Sequence, residues 1–222
     1  MRVIDISGPI YTDMWSYCKE YPGAVIEELP QPQFLEDKYE VFCQKFIIGG
    51  QSGTYIETRA HVDKNAPPVV DYPLEEFVMD CVVIKLKEKG PLQPITLKDL
   101  KCNSPEINRG DAVLLSCGWD KRWREPDFVS KSPYISKEAA QWLLEHDIKL
   151  LGGDFPRFDN VEKMEFPWDL FWEKATFLLA PLTNLRNVKE ERVILVSFPL
   201  KIEGAVASPC RAAIIEGVGV RT

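Results

Sequence analysis

Residues 49–61 read GGQSGTYIETRAH, and this stretch decides the fold that we expect for the chain. In an extended segment, successive side chains point to opposite faces. One face of this stretch is small or apolar. The other carries an amide, a phenol, a carboxylate, a guanidinium and an imidazole, from Gln51, Tyr55, Glu57, Arg59 and His61. Such a polar face indicates either a ligand-binding site or an exposed edge strand, where charged side chains are common.

The spacing within this stretch resembles the signature H-x-G-T-H-x-D-x-P-x-H of the cyclase / kynurenine formamidase family of metal-dependent hydrolases. Gly53, Thr54 and His61 match the signature. Further short motifs of the family follow in the same order along the chain. They are P-L-E at 73–75, G-D at 110–111, G-W at 118–119, L-T-N-L at 182–185, P-L-K-I at 199–202 and S-P-x-R at 208–211. Each motif is weak alone, but together they extend the resemblance over nearly the whole chain.

The departures from the signature fall on the positions that hold metal in the family. Gln51 and Tyr55 stand where the family has histidines, Glu57 replaces a bridging Asp, and Arg59 replaces a Pro. An amide and a neutral phenol are poor ligands for zinc or manganese.

Counting back from the L-T-N-L motif places the family's two remaining ligands on other residues of this chain. Its Glu falls on Ala180 and its His on Trp168, and no His follows His146 in the sequence. The resemblance therefore implies a site that has lost its metal, and we expect no cofactor. A single weak ion held by Glu57, His61 and Asp154 is the alternative, since Asp154 lies in a segment resembling the family's G-x-D.

The expected fold is that of the family: α/β, one domain over residues 1–222, with a mixed barrel-like β core and flanking helices of the swivelling β/β/α type. Residue patterns predict strands at 3–7, 39–48, 80–86, 112–117, 149–152, 193–198 and 212–216. Helices are predicted at 96–100, 137–146 and 167–179, the first two capped by Thr96 and Ser136. Residues 11–35 have little periodicity and are interpreted as a long loop or arm.

Composition limits the classes of partner. The chain of 222 residues has a net charge of −7, which argues against a nucleic-acid surface or an anionic membrane as partner. The first ten residues lack the apolar core of a signal peptide, and the six cysteines show no C-x-x-C spacing. We therefore expect a cytoplasmic protein with free thiols. The resemblance implies a homodimer or higher homo-oligomer.

Two functions remain open at this stage. The first is a metal-independent hydrolase or lyase acting on a small amide, formamide or lactone-like compound, with Glu57 or His61 as general base and Tyr55 as hydrogen-bond donor. The second is a non-catalytic protein that binds a small molecule.

In either case the predicted substrate-binding residues are Gln51, Arg59, Trp15, Trp168 and Asp154. Structural roles are equally open for three of them. Arg59 is suited to pair with Glu57 on the same strand face, whereas Trp15 and Trp168 are suited to packing.

Overall fold

A closed β-barrel forms the centre of the computed structural model, which describes residues 1–21, 23–35 and 38–218. The strands are β1 Arg2–Asp5, β2 Val25–Leu29, β3 Cys43–Ile47, β4 Tyr55–Thr58, β5 Val78–Lys85, β6 Pro94–Ile95, β7 Ala112–Ser116, β8 Tyr134–Ile135, β9 Leu150–Gly153, β10 Phe177–Ala180, β11 Arg192–Pro199 and β12 Ala207–Glu216. The α-helices are α1 Leu97–Asn103, α2 Lys137–Leu144 and α3 Trp168–Lys174.

Seven strands close the ring, in the order β12, β11, β5, β7, β9, β10, β4 and back to β12. The neighbours from β5 through β7 and β9 to β10 are parallel, and the other pairs in the ring are antiparallel. β1 adds to β12 outside the ring. The mixed barrel expected from the sequence is therefore confirmed.

Successive side chains along the barrel strands point alternately inside and outside the barrel, and they form two separate apolar layers. In β5, Cys81 and Val83 belong to the cluster inside the barrel, to which all seven ring strands contribute, whereas Val82 and Ile84 belong to the outer cluster. Both faces of these central strands are buried, which is why they appear in the sequence as continuous apolar runs. The helices cover the outer face.

The predicted caps of the first two helices are confirmed. The Thr96 side chain accepts a hydrogen bond from the Asp99 N–H while the Asp99 carboxylate accepts one from the Thr96 N–H, forming a capping box. The Ser136 side chain accepts from the Ala139 N–H at the start of α2. His146, which the sequence placed in the last turn of this helix, follows its end and lies against Trp142.

The prediction of an extended segment throughout residues 49–61 was wrong at both ends. Gly53 has a φ of 66° and belongs to a turn that precedes β4. After Thr58 the chain enters a 3₁₀ turn over Arg59–His61, whose N-cap is Thr58. Only the middle of the stretch is a strand, so side-chain alternation does not extend to Arg59.

Two other element predictions need correction. Residues 11–35 are not all loop, because β2 pairs with β3 in a two-stranded ribbon that joins no barrel strand in the described part of the chain. The ribbon's second strand is also shorter than the predicted 39–48. The helix predicted over 167–179 ends at Lys174, because the run from Phe177 onward is buried as a barrel strand parallel to β9. Pro22, within the predicted arm, lies outside the described residues.

Among the helices of the described residues, none combines the length and apolar composition that crossing a bilayer requires.

Candidate active site

A cavity of about 330 Å³ lies against the outer face of β4 and β10. Its floor comes from the outward side chains of these strands, Tyr55, Glu57 and Leu178, whereas Ile56 points into the barrel. Three segments cover the floor: the N-terminal arm, the loop after β9 and α3. They supply Tyr17, Tyr21, Arg157, Trp168 and Trp172. The cavity is therefore walled by aromatic rings around a few polar groups, as is common in small-molecule sites.

Glu57 is the buried acid of the cavity. Its side chain accepts a hydrogen bond from Gln51, with Nε2 2.7 Å from Oε2, and the residue is only 4% exposed. Burial raises the pKa of Glu57 above its usual range, although the nearby charge of His61 and the Gln51 hydrogen bond partly oppose this rise. The result is a carboxyl group that can both take and return a proton closer to neutral pH than an exposed glutamate.

Two phenols form a hydrogen-bonded chain beside Glu57. The Tyr55 hydroxyl donates to the Tyr17 hydroxyl at 3.0 Å, and the Tyr17 hydroxyl donates to the Pro156 carbonyl oxygen at 3.0 Å. Burial raises the pKa of both Tyr55 and Tyr17, so both phenols are protonated at neutral pH. In this arrangement Tyr55 can donate to a ligand only after releasing Tyr17.

Most of the residues predicted from the sequence meet at this cavity. Gln51, Tyr55, Glu57, His61 and Trp168 all line it. His61 is exposed at the rim.

Trp15 instead lines an adjoining cavity of about 250 Å³, which shares Tyr17, Tyr21, Gln51 and His61 with the first. The Trp15 ring also packs against Trp123 and Phe128.

Arg59 and Asp154 lie elsewhere. Arg59 is half-exposed on the 3₁₀ turn and pairs with Asp63, its Nε 3.3 Å from Oδ2, rather than with Glu57. Asp154 is fully buried and accepts hydrogen bonds from the backbone N–H groups of Cys117 and Gly118, at 2.8 Å each. Burial raises the pKa of Asp154 to about 6, and its bonds tie the end of β9 to the loop after β7.

The residues at the family's metal positions do not fit a metal ion. The Gln51 amide donates to Glu57, the Tyr55 phenol is protonated, and Ala180 carries no donor atom. The indole N–H of Trp168 donates to Asp159 at 3.1 Å. No group of three or more His, Cys, Asp or Glu side chains that could hold a metal occurs within residues 1–21, 23–35 and 38–218. The donor chemistry at these positions thus disagrees with a metal centre of the family's kind.

Sequence reasoning missed Arg157 and Tyr17. Tyr17 is one of several aromatic residues in an aperiodic segment, and Arg157 lies in a loop with no motif of its own. The guanidinium of Arg157 donates to the Tyr17 carbonyl oxygen at 2.9 Å and lies over the Tyr17 ring, 5.8 Å from its centre. These contacts hold the N-terminal arm against the loop after β9. They depend on packing between segments that are distant in the sequence, which no local sequence pattern predicts.

The raised pKa of Glu57 predicts a pH dependence of stability. The folded chain binds this proton more tightly than the unfolded chain, whose value is near 4.5. Glu57 therefore contributes stability below pH 4.5 that is lost as the pH rises through its folded-state pKa. We expect the free energy of unfolding of Glu57→Gln, measured in urea between about pH 4 and pH 7, to fall less with pH than that of the wild type. Parallel curves for the two proteins would contradict this assignment.

Comparison with known proteins agrees with this architecture. The model of the family described as "Putative cyclase" matches residues 4–160. The kynurenine formamidase of Bacillus thuringiensis subsp. konkukian is 26% identical over 212 residues, which cover 95% of this chain and 96% of that protein.

Two solved structures share the fold. An isatin hydrolase bound to the product analogue thioisatinate has a TM-score of 0.81 at 23% identity, covering 96% of this chain and 91% of its own. A predicted metal-dependent hydrolase from Bacillus stearothermophilus has a TM-score of 0.75 at 22% identity, covering 96% of this chain and 97% of its own. Because the family model matches more than half of the chain, the protein belongs to the cyclase / kynurenine formamidase family of hydrolases.

Proposed function

We propose that the protein hydrolyses a small amide, formamide or lactone-like compound without a bound metal, using Glu57 as general base. The observation that carries the proposal is a carboxyl group of raised pKa, buried at the floor of an aromatic cavity. General bases work best when their pKa lies near the working pH. The names of the relatives, kynurenine formamidase and isatin hydrolase, support amide-type substrates.

The reaction follows from the placement of these groups. Glu57 takes a proton from water as the water oxygen attacks the carbonyl carbon, and the carbonyl oxygen becomes an oxyanion. The oxyanion then collapses, the bond to the leaving nitrogen or oxygen breaks, and Glu57 returns the proton to the leaving atom. Gln51 holds the carboxylate of Glu57 through one Nε2 hydrogen, and its second Nε2 hydrogen makes no hydrogen bond within the described residues. That hydrogen is available to the oxyanion.

Metal analysis tests the metal-independent part of the proposal. Protein purified without chelator is assayed on formanilide and isatin before and after treatment with EDTA, and its metal content is measured by mass spectrometry. We expect hydrolysis that EDTA does not change and a metal content well below one ion per chain. Stoichiometric zinc or manganese, with activity lost on chelation and restored by the ion, would overturn it.

A second candidate is a non-catalytic protein that binds a small molecule in the same cavity. The hydrogen-bonded phenols favour this candidate. The Tyr55 hydroxyl already donates to Tyr17 and the Tyr17 hydroxyl to Pro156, so neither can polarise a substrate carbonyl until its present hydrogen bond breaks. Binding of both test compounds with no hydrolysis above the buffer rate would support this candidate and reject the enzyme.

We also propose that the ribbon of β2 and β3 pairs with a second copy of the chain. Its side chains include the exposed Leu29 and Phe46, and Phe42 next to it is 84% exposed. Exposed apolar groups favour association, and this strand pair joins no other sheet within the described residues. Sedimentation of the purified protein as a monomer at micromolar concentration would reject this proposal.

A further inference from the structure

We propose that Arg157 recognises a carboxylate on the ligand, so that this site takes aromatic compounds bearing a negative charge. The proposal extends the function proposed above by assigning the charge of the substrate. It concerns binding, and it therefore stands or falls independently of whether Glu57 performs catalysis.

Arg157 is a cation that has no counter-ion within the described residues. It lines the aromatic cavity, yet it forms no ion pair with any carboxylate of the described residues. Arg157 is partly buried, and a charge that is withdrawn from water is costly unless it is paired. A cation left unpaired in a ligand-sized cavity indicates that the ligand supplies the negative charge.

The hydrogen bonds of Arg157 also favour a negatively charged ligand. One terminal nitrogen donates to the Tyr17 carbonyl oxygen, which fixes the guanidinium. The other terminal nitrogen forms no hydrogen bond within the described residues and is not buried, so a ligand in the cavity can reach it. The planar guanidinium is thus held in place with a donor unused, which suits recognition of a carboxylate.

The remaining acids near the cavity have other partners. Glu57 accepts a hydrogen bond from Gln51, and the nearby charge of His61 favours its carboxylate form. The carboxylate of Asp159 accepts the Trp168 indole N–H at 3.1 Å and the backbone N–H of Phe166 at 3.1 Å, which orders the loop before α3. Neither acid is paired with Arg157, so the cavity presents a base and a cation as separate groups. A ligand that places its reacting carbonyl at Glu57 has a distinct position for its carboxylate.

The aromatic walls define the rest of the ligand. Tyr17 and Tyr55 meet edge to face with ring centres 6.0 Å apart, and Trp168 and Trp172 line the same cavity. Flat apolar groups pack well against such rings. Benzoate and benzamide are therefore a suitable probe pair, since they share ring and shape and differ in charge.

Binding of the two probes to the intact protein tests the proposal, with dissociation constants from ligand-observed NMR. We expect the wild type to bind benzoate more tightly than benzamide. Arg157→Gln is expected to weaken benzoate by at least about tenfold, the change expected for loss of a charge-assisted hydrogen bond, and to leave benzamide unchanged. Arg157→Lys is expected to keep part of the preference, because it keeps the charge without the planar fork.

Arg124→Gln provides the matched control, since Arg124 also lies over a tyrosine ring, Tyr11, but does not line this cavity. It is expected to leave both constants unchanged. Equal binding of the two probes by the wild type, no binding of either, or unchanged benzoate binding by Arg157→Gln would each overturn the proposal. Equal loss of both probes in Arg157→Gln would also overturn it, because that result assigns Arg157 only to holding Tyr17. A Glu57→Gln variant that keeps the benzoate preference but hydrolyses nothing would separate this inference from the catalytic proposal.

Discussion

Replacing Glu57 by Gln is expected to lower kcat for hydrolysis by about 10²–10⁴-fold, the range typical of general acid–base groups. The amide has nearly the shape of the carboxyl group, and its oxygen can still accept the hydrogen bond from Gln51. It cannot take a proton from water, however. The loss should therefore appear in kcat with little change in KM, as measured by initial rates over a range of substrate concentrations.

The same substitution at an exposed glutamate provides the control. Glu27 lies on β2, about half-exposed, and pairs with Lys45 across the ribbon. Glu27→Gln is expected to keep wild-type kinetics. A Glu57→Gln protein that is folded by circular dichroism and turns over at the wild-type rate would remove Glu57 from the reaction.

Replacing Gly152 by Ala is expected to lower the free energy of unfolding by about 3 kcal/mol, at the upper end of the usual cost of overpacking a core. Gly152 lies in β9 between β7 and β10. A Cβ at this position would lie 2.5 Å from Leu114 Cδ2 and 2.6 Å from the Leu179 carbonyl oxygen. The second neighbour is backbone of an adjacent strand and cannot move aside without disturbing the barrel. Urea unfolding followed by tryptophan fluorescence measures the change.

Gly90→Ala controls for the general effect of adding a methyl group to a glycine. At Gly90 the added Cβ would meet only the Gln93 side chain, at an ordinary 3.5 Å. Its stability is expected to remain within about 1 kcal/mol of the wild type, or to rise slightly, because alanine restricts the unfolded chain. If Gly90→Ala and Gly152→Ala were equally destabilising, close packing would not explain the result.

Most strands of the barrel were predictable because they are apolar on both faces, whereas their closure into a barrel was expected from the family resemblance. The runs at β5, β7 and β11 are strongly strand-forming, and the order of short motifs pointed to the family. The strand at Phe177 was not predictable in the same way. Its sequence continues the apolar pattern of α3 without a Gly or Pro between them, and only parallel pairing with β9 makes it a strand.

Part of the site was predictable from the geometry of a single strand. Tyr55 and Glu57 are two residues apart on one strand, so local geometry brings them to one face. His61 reaches the same cavity through a 3₁₀ turn, and that turn sends Arg59 to the surface instead. Arg157 lines the cavity only because segments that are distant in the sequence pack together. Side-chain alternation predicts which residues share a face only within a strand. The positions of residues beyond the end of the strand depend on tertiary contacts, which the sequence pattern does not show.

The closing strand β12 has a consequence for how the protein is made. It forms hydrogen-bonded ladders with β11, which directly precedes it, and with β1 and β4, which lie far earlier in the sequence. Until residues 207–216 leave the ribosome, the strand edges that β12 covers have no partner. Contacts so distant along the chain form slowly, and open strand edges attract other chains. The nascent polypeptide therefore passes through an aggregation-prone interval before β12 is synthesised, during which chaperones should improve its yield.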